Sequence, residues 1–116
     1  MSEQRKIKRK KIMAFTPVYN LNQTILYGYI GDLTMLGALV VGEKPLEVDT
    51  DNAFVIDFPE TPDFPARRIK IRAKVIWTQL NPDKKYYHSG IEFKNISEQN
   101  RTILEMILAK YIYRRV

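Results

Sequence analysis

Arg5 and Arg9 stand four residues apart within Arg5-Lys6-Ile7-Lys8-Arg9-Lys10-Lys11, a run with six cations in seven positions. Clustered cations raise the local potential and speed encounter with phosphates, so this run predicts an anionic partner. It accounts for the whole formal charge of +6, because the rest of the chain balances its acids and bases. Twenty-three residues beyond Arg9 comes Asp32-Leu33-Thr34-Met35-Leu36-Gly37, which has turn chemistry. In such a turn Asp bonds nearby backbone amides and Gly takes a positive φ. His88 is the only histidine, so no histidine cluster exists to bind metal. Asp49, Asp51, Asp57, Glu60 and Asp63 scatter without metal-binding spacing, and there is no Gly-rich phosphate loop, nucleophile elbow or pair of acids. A binding function is expected, and an enzyme is not.

The elements that must position these residues read mainly as strands. Ile12 to Tyr19 and Thr24 to Gly31 are two of them, with Asn20-Leu21-Asn22-Gln23 as the hairpin turn between. Ala38 to Val41 forms a short apolar strand closed by Gly42, and Ala53 to Phe58 another, before a loop punctuated by Pro59, Pro62 and Pro65. Ile69, Ile71, Ala73, Val75 and Trp77 alternate with Lys70, Arg72, Lys74, Ile76 and Thr78, the pattern of a half-buried strand that places Trp77 in the core, with stacking on a base at the barrel rim as the alternative. Asn81-Pro82-Asp83 then turns the chain into a returning strand through Tyr87, Ser89, Ile91 and Phe93. Ser97 caps a final helix in which Ile103, Leu104, Ile107, Leu108, Tyr111 and Ile112 repeat at helical spacing, with Arg114 and Arg115 near its negative end.

A chain of 116 residues with 45% hydrophobic content supports one core without staples. The absence of cysteine excludes a disulfide framework and suits a reducing compartment, so a cytoplasmic location is expected. No apolar run approaches the roughly 20 residues that span a bilayer, so membrane insertion is not expected. Six or so strands without intervening helices imply a mainly β fold, a small six-stranded antiparallel barrel with a C-terminal helix.

The order and spacing of Arg5-x-x-x-Arg9, of Asp32-x-Thr34-x-x-Gly37 and of the late Gly90-Ile91-Glu92-Phe93 strand resemble the PilZ domain family. The resemblance covers nearly the whole chain. It implies a basic ligand-binding segment at residues 1–11, a PilZ-like barrel with its helix at 12–116, and a receptor for cyclic di-GMP. That ligand suits the residues. An arginine fork pairs bidentately with phosphate or with guanine O6 and N7, and stacks on a base. By the resemblance, Arg5 and Arg9 would hold phosphate and guanine, and Asp32 and Thr34 would contact the guanine edge. Gly37 would let the backbone approach the ligand closely, and Lys10 would add attraction.

The chain departs from the family at Thr34, where the family usually has serine, and at Gln4, where members that take a stacked ligand dimer tend to have arginine. One ligand molecule per chain is expected. Binding would order the basic segment against the barrel and so relay the signal to an effector protein that the sequence does not identify. Motility, surface attachment as in biofilms, and exopolysaccharide control are the outputs the resemblance implies. Two other classes stay open: a single-stranded nucleic-acid module, for which a small barrel with a basic arm is suited, and a PilZ-like protein adaptor without ligand.

Overall fold

The computed structural model describes residues 11–12, 15–62, 67–82 and 85–112. Arg5, Arg9 and Lys10 lie outside them, as do Arg114 and Arg115. The elements are β1 (Lys11–Ile12), β2 (Pro17–Asn20), β3 (Leu26–Leu33), β4 (Gly37–Gly42), β5 (Asp51–Phe58), β6 (Arg67–Leu80), β7 (Tyr87–Lys94), α1 (Glu98–Lys110) and β8 (Tyr111–Ile112). Six strands close into a barrel in the order β2-β3-β4-β7-β6-β5, and every neighbouring pair is antiparallel. The expected six-stranded barrel with a C-terminal helix is thus the observed fold.

The barrel forms because alternate residues of each strand are apolar and point to one side. Phe54, Ile56 and Phe58 on β5 meet Ile69, Ile71 and Val75 on β6, and all are at most 4% exposed. Helix α1 covers this core with Leu104 and Ile107, which are fully buried. Each such side chain stabilises the fold by about 1.5–3 kcal/mol relative to an exposed one. Ser97 caps the helix as expected, its hydroxyl accepting from the Asn100 amide at 3.1 Å. The Asn100 side-chain amide donates to the Lys70 carbonyl at 2.7 Å, which ties the helix to β6.

Four features differ from the sequence pattern, each because of how the segments pair. The strand expected from Ile12 to Tyr19 is divided: Lys11–Ile12 pairs in parallel with Tyr111–Ile112, outside the barrel, and the barrel begins at Pro17. The next strand runs on to Leu33, so Asp32 lies in β3 itself, opposite Leu39. The helix stops at Lys110 because Tyr111 and Ile112 take extended backbone to pair with β1. Tyr111 stays buried, its hydroxyl donating to Thr61 Oγ1 at 2.7 Å.

Trp77 is the fourth difference. Val75 stands opposite Ile91 and Trp77 opposite Gly90, so Ile76 is an extra residue, a β-bulge. The bulge reverses the phase of the alternation. Trp77, expected in the core, is instead 43% exposed on the outer face, and Ile76 beside it is 44% exposed.

Candidate functional site

The turn from β3 to β4 is held by Thr34. Its amide donates to the Gly37 carbonyl at 2.9 Å, and its Oγ1 accepts from the amides of Leu36 and Gly37 at 3.1 and 3.2 Å. The Leu36 carbonyl in turn accepts from the Phe93 amide at 2.8 Å, which fastens the turn to β7. Asp32 Oδ1 accepts from the Leu33 amide at 2.9 Å. The aspartate therefore stands at the strand end with its carboxylate oriented by the backbone, and the threonine hydroxyl organises the turn beyond it.

Gly37 has a backbone role different from the positive φ of ordinary turn chemistry. Among the described glycines only Gly28 has a positive φ. A Cβ on Gly37 would collide with the carbonyl oxygen of Ile91, so the glycine is needed for β4 to lie close against β7. Gly90 on β7 is a glycine for a second reason. A Cβ there would strike the indole of Trp77, which lies across it.

The strand register sets these residues in rows on the outer face. One row runs Asp32, Leu39, Gly90, Trp77 across β3, β4, β7 and β6. The rows on either side run Gly37, Glu92, Lys74 and Tyr29, Val41, His88, Gln79. Neighbouring strands lie about 4.8 Å apart, so Asp32 and Trp77 face each other across about 14 Å. Between them Gly90 contributes no side chain, nor does Gly37 in the row beside it, and the sheet is hollowed there into a groove of about 490 Å³ with Leu39 in its lining. Its rim carries Asp32 and Thr34 on one side, Ile76 and Trp77 on the other, with His88 and Glu92 along β7. That volume falls in the range of small-molecule sites.

Of the six residues expected to hold ligand, the structure brings Asp32, Thr34 and Gly37 to this groove. Arg5, Arg9 and Lys10 lie outside the described residues. The sequence reading favoured the core for Trp77, with the rim as alternative, and missed His88 as a groove residue. The signal for Trp77 lay in Val75-Ile76-Trp77, three apolar residues in a row where the alternation calls for a polar one at 76, which is where the bulge falls. The groove presents acceptors, an aromatic platform and an imidazole. Among the described residues no group of three histidine, cysteine, aspartate or glutamate side chains could hold a metal ion. No helix among them is long and apolar enough to cross a membrane.

A closed six-stranded antiparallel barrel with one helix over its end, and a groove on its outer face beside the β3–β4 turn, defines a small β-barrel binding domain. The chain matches the PilZ domain family over residues 3–110 and belongs to that family. Its fold is similar to that of the inhibitor of motility of Bacillus subtilis (MotI/DgrA), at 18% identity and a TM-score of 0.65, covering 84% of this chain and 48% of that one. The chain thus spans about half the length of the Bacillus protein. It is also similar to the PilZ domain of YcgR from Escherichia coli, solved with cyclic di-GMP, at 15% identity and a TM-score of 0.57, covering 84% of this chain and 86% of that one. No curated protein sequence matches the chain.

Proposed function

We propose that this chain is a noncatalytic receptor for cyclic di-GMP, which binds in the groove between the Asp32–Gly37 turn and Trp77. The observation that carries this reading is the row from Asp32 to Trp77 across a floor without side chains at Gly90. A carboxylate at one end accepts from guanine N1 and N2 hydrogens, which an adenine cannot supply in the same place. A half-exposed indole at the other end offers a flat face for stacking, the contact that bases make with aromatic side chains. Family membership and the cyclic di-GMP held by the Escherichia coli domain support the same ligand.

In this reading Arg5 and Arg9 close the site from the N-terminal segment, pairing with phosphate and guanine, while Lys10 adds attraction. The groove's own described charges include the acids Asp32 and Glu92, so a ligand with two phosphates needs cations brought to it. Closure of residues 1–11 over the ligand then makes a surface that an effector protein reads, with motility, attachment or exopolysaccharide synthesis as the output.

Calorimetric titration of cyclic di-GMP into the wild-type chain and into Arg9→Ala tests the proposal, with GTP and cyclic di-AMP as controls. Saturable binding at micromolar concentration or tighter, lost in Arg9→Ala and absent with both controls, is the expected result. No heat at high ligand concentration would leave the adaptor and nucleic-acid functions to account for the chain.

A further inference from the structure

Beside Trp77, a residue of the groove lining carries a buried polar atom with no hydrogen-bond partner. His88 lines the groove, yet its Nε2 is closed off from solvent and has no hydrogen-bond partner among the described residues. Buried polar side-chain atoms are nearly always bonded, so an exception points to strain or to a partner that is supplied on binding. Its neighbours on this sheet are Val41 on β4, which has no polar side chain, and Gln79 on β6, whose side-chain amide makes no bond to Nε2, with Trp77 diagonally placed next to Gly90.

His88 does not point into the barrel core. The alternation of β7 sends Ser89, Ile91 and Phe93 inward, where they are at most 7% exposed, and sends His88, Gly90 and Glu92 to the outer face. An apolar side chain at 88 would extend the patch of Val41 without leaving an orphaned nitrogen. A histidine kept at such a position gives up stability in the empty protein, and the gain must come elsewhere.

We infer that His88 is a ligand-recognising residue of the groove, its Nε2 donating a hydrogen bond to an acceptor oxygen or nitrogen of the bound nucleotide. The inference rests on the receptor reading above. The half-exposed indole of Trp77 lies against Gly90, diagonally next to His88, and in this inference an incoming base that moves it opens the imidazole edge to the groove. His88 thereby adds an imidazole donor in the row on the other side of Gly90 from Glu92, complementing the carboxylate acceptors of Asp32 and Glu92.

The test compares wild type, His88→Leu and His88→Gln by calorimetric titration with cyclic di-GMP and by thermal melting of the empty protein. The expected result is that His88→Leu binds about ten-fold more weakly while melting at the wild-type temperature or above. His88→Gln, which carries a donor nitrogen at a similar reach, is expected to recover most of the affinity. Equal affinity in wild type and His88→Leu would overturn the inference and leave the receptor reading standing. So would a leucine variant that melts well below wild type with a glutamine variant equally weak in binding, because that pattern marks a structural histidine. No binding by wild type would instead remove the receptor reading, and this inference with it.

Discussion

Asp32 and Thr34 sit two residues apart and use their oxygens differently. Thr34 Oγ1 accepts two turn amides, so its hydroxyl is engaged in building the loop whether or not ligand is bound. The extra methyl relative to serine leaves those bonds intact. Thr34→Ala is therefore expected to loosen the turn and weaken ligand binding, and Thr34→Ser to bind within a few-fold of wild type in the same titration. Trp77 makes a sharper prediction. Stacking of a base on an aromatic residue is worth about 1–3 kcal/mol, so Trp77→Ala is expected to weaken cyclic di-GMP binding by about ten-fold or more. Because Trp77 is the only tryptophan, ligand should also change the intrinsic fluorescence of wild type. A saturating titration with unchanged emission would place the ligand away from the indole.

At the scale of the element, two glycines of one groove are predicted to fail in different ways. A Cβ at Gly37 meets backbone, the Ile91 carbonyl, which cannot move without parting β4 from β7. Overpacking of this kind costs about 1–3 kcal/mol, and a 60–100-residue domain loses about 4–8 °C of melting temperature per kcal/mol. Gly37→Ala should therefore show a clear fall in thermal melting. A Cβ at Gly90 meets a side chain, the half-exposed indole, which can swing out toward solvent. Gly90→Ala should melt close to wild type and yet lose affinity and the ligand-induced fluorescence change. If the two variants melted alike, the separate roles assigned to these glycines would be wrong. Helix α1 belongs to the barrel's end and contributes no residue to the groove lining. Leu104→Ala should thus cost about 2–5 kcal/mol of stability while the folded fraction binds ligand normally.

At the scale of the whole molecule, the charge distribution separates the two kinds of anionic partner. A nucleic acid contacting several phosphates would lose affinity steeply with salt, with a log–log slope of about 0.7 per phosphate contacted on a single strand. A ligand with two phosphates is expected to show a slope near or below ~1.4, and a steeper one would favour the nucleic-acid module. Closure of the N-terminal segment is expected to appear as increased hydrogen-exchange protection over residues 5–11 on adding cyclic di-GMP. Protection confined to the β3–β4 turn would mean that the signal leaves the protein by another surface.

Alternation of apolar residues carried most of the strands and helical spacing carried α1, because both periodicities follow directly from backbone geometry. The turn between Asp32 and Gly37 was legible for the same local reason, a hydroxyl that bonds nearby amides, although the aspartate proved to end β3 and the glycine to begin β4 without a positive φ. What the sequence by itself determined is therefore the family, the barrel and half of the proposed site. The other half was decided by tertiary structure. One extra residue at Ile76 turns Trp77 from the core to the groove. The register across four strands brings it into line with Asp32, 45 positions earlier in the chain. The pairing of Lys11–Ile12 with Tyr111–Ile112 cut short two elements that looked continuous. Bulge, register and terminal pairing are contests between distant segments for the same hydrogen bonds, and no local pattern in the chain settles their outcome.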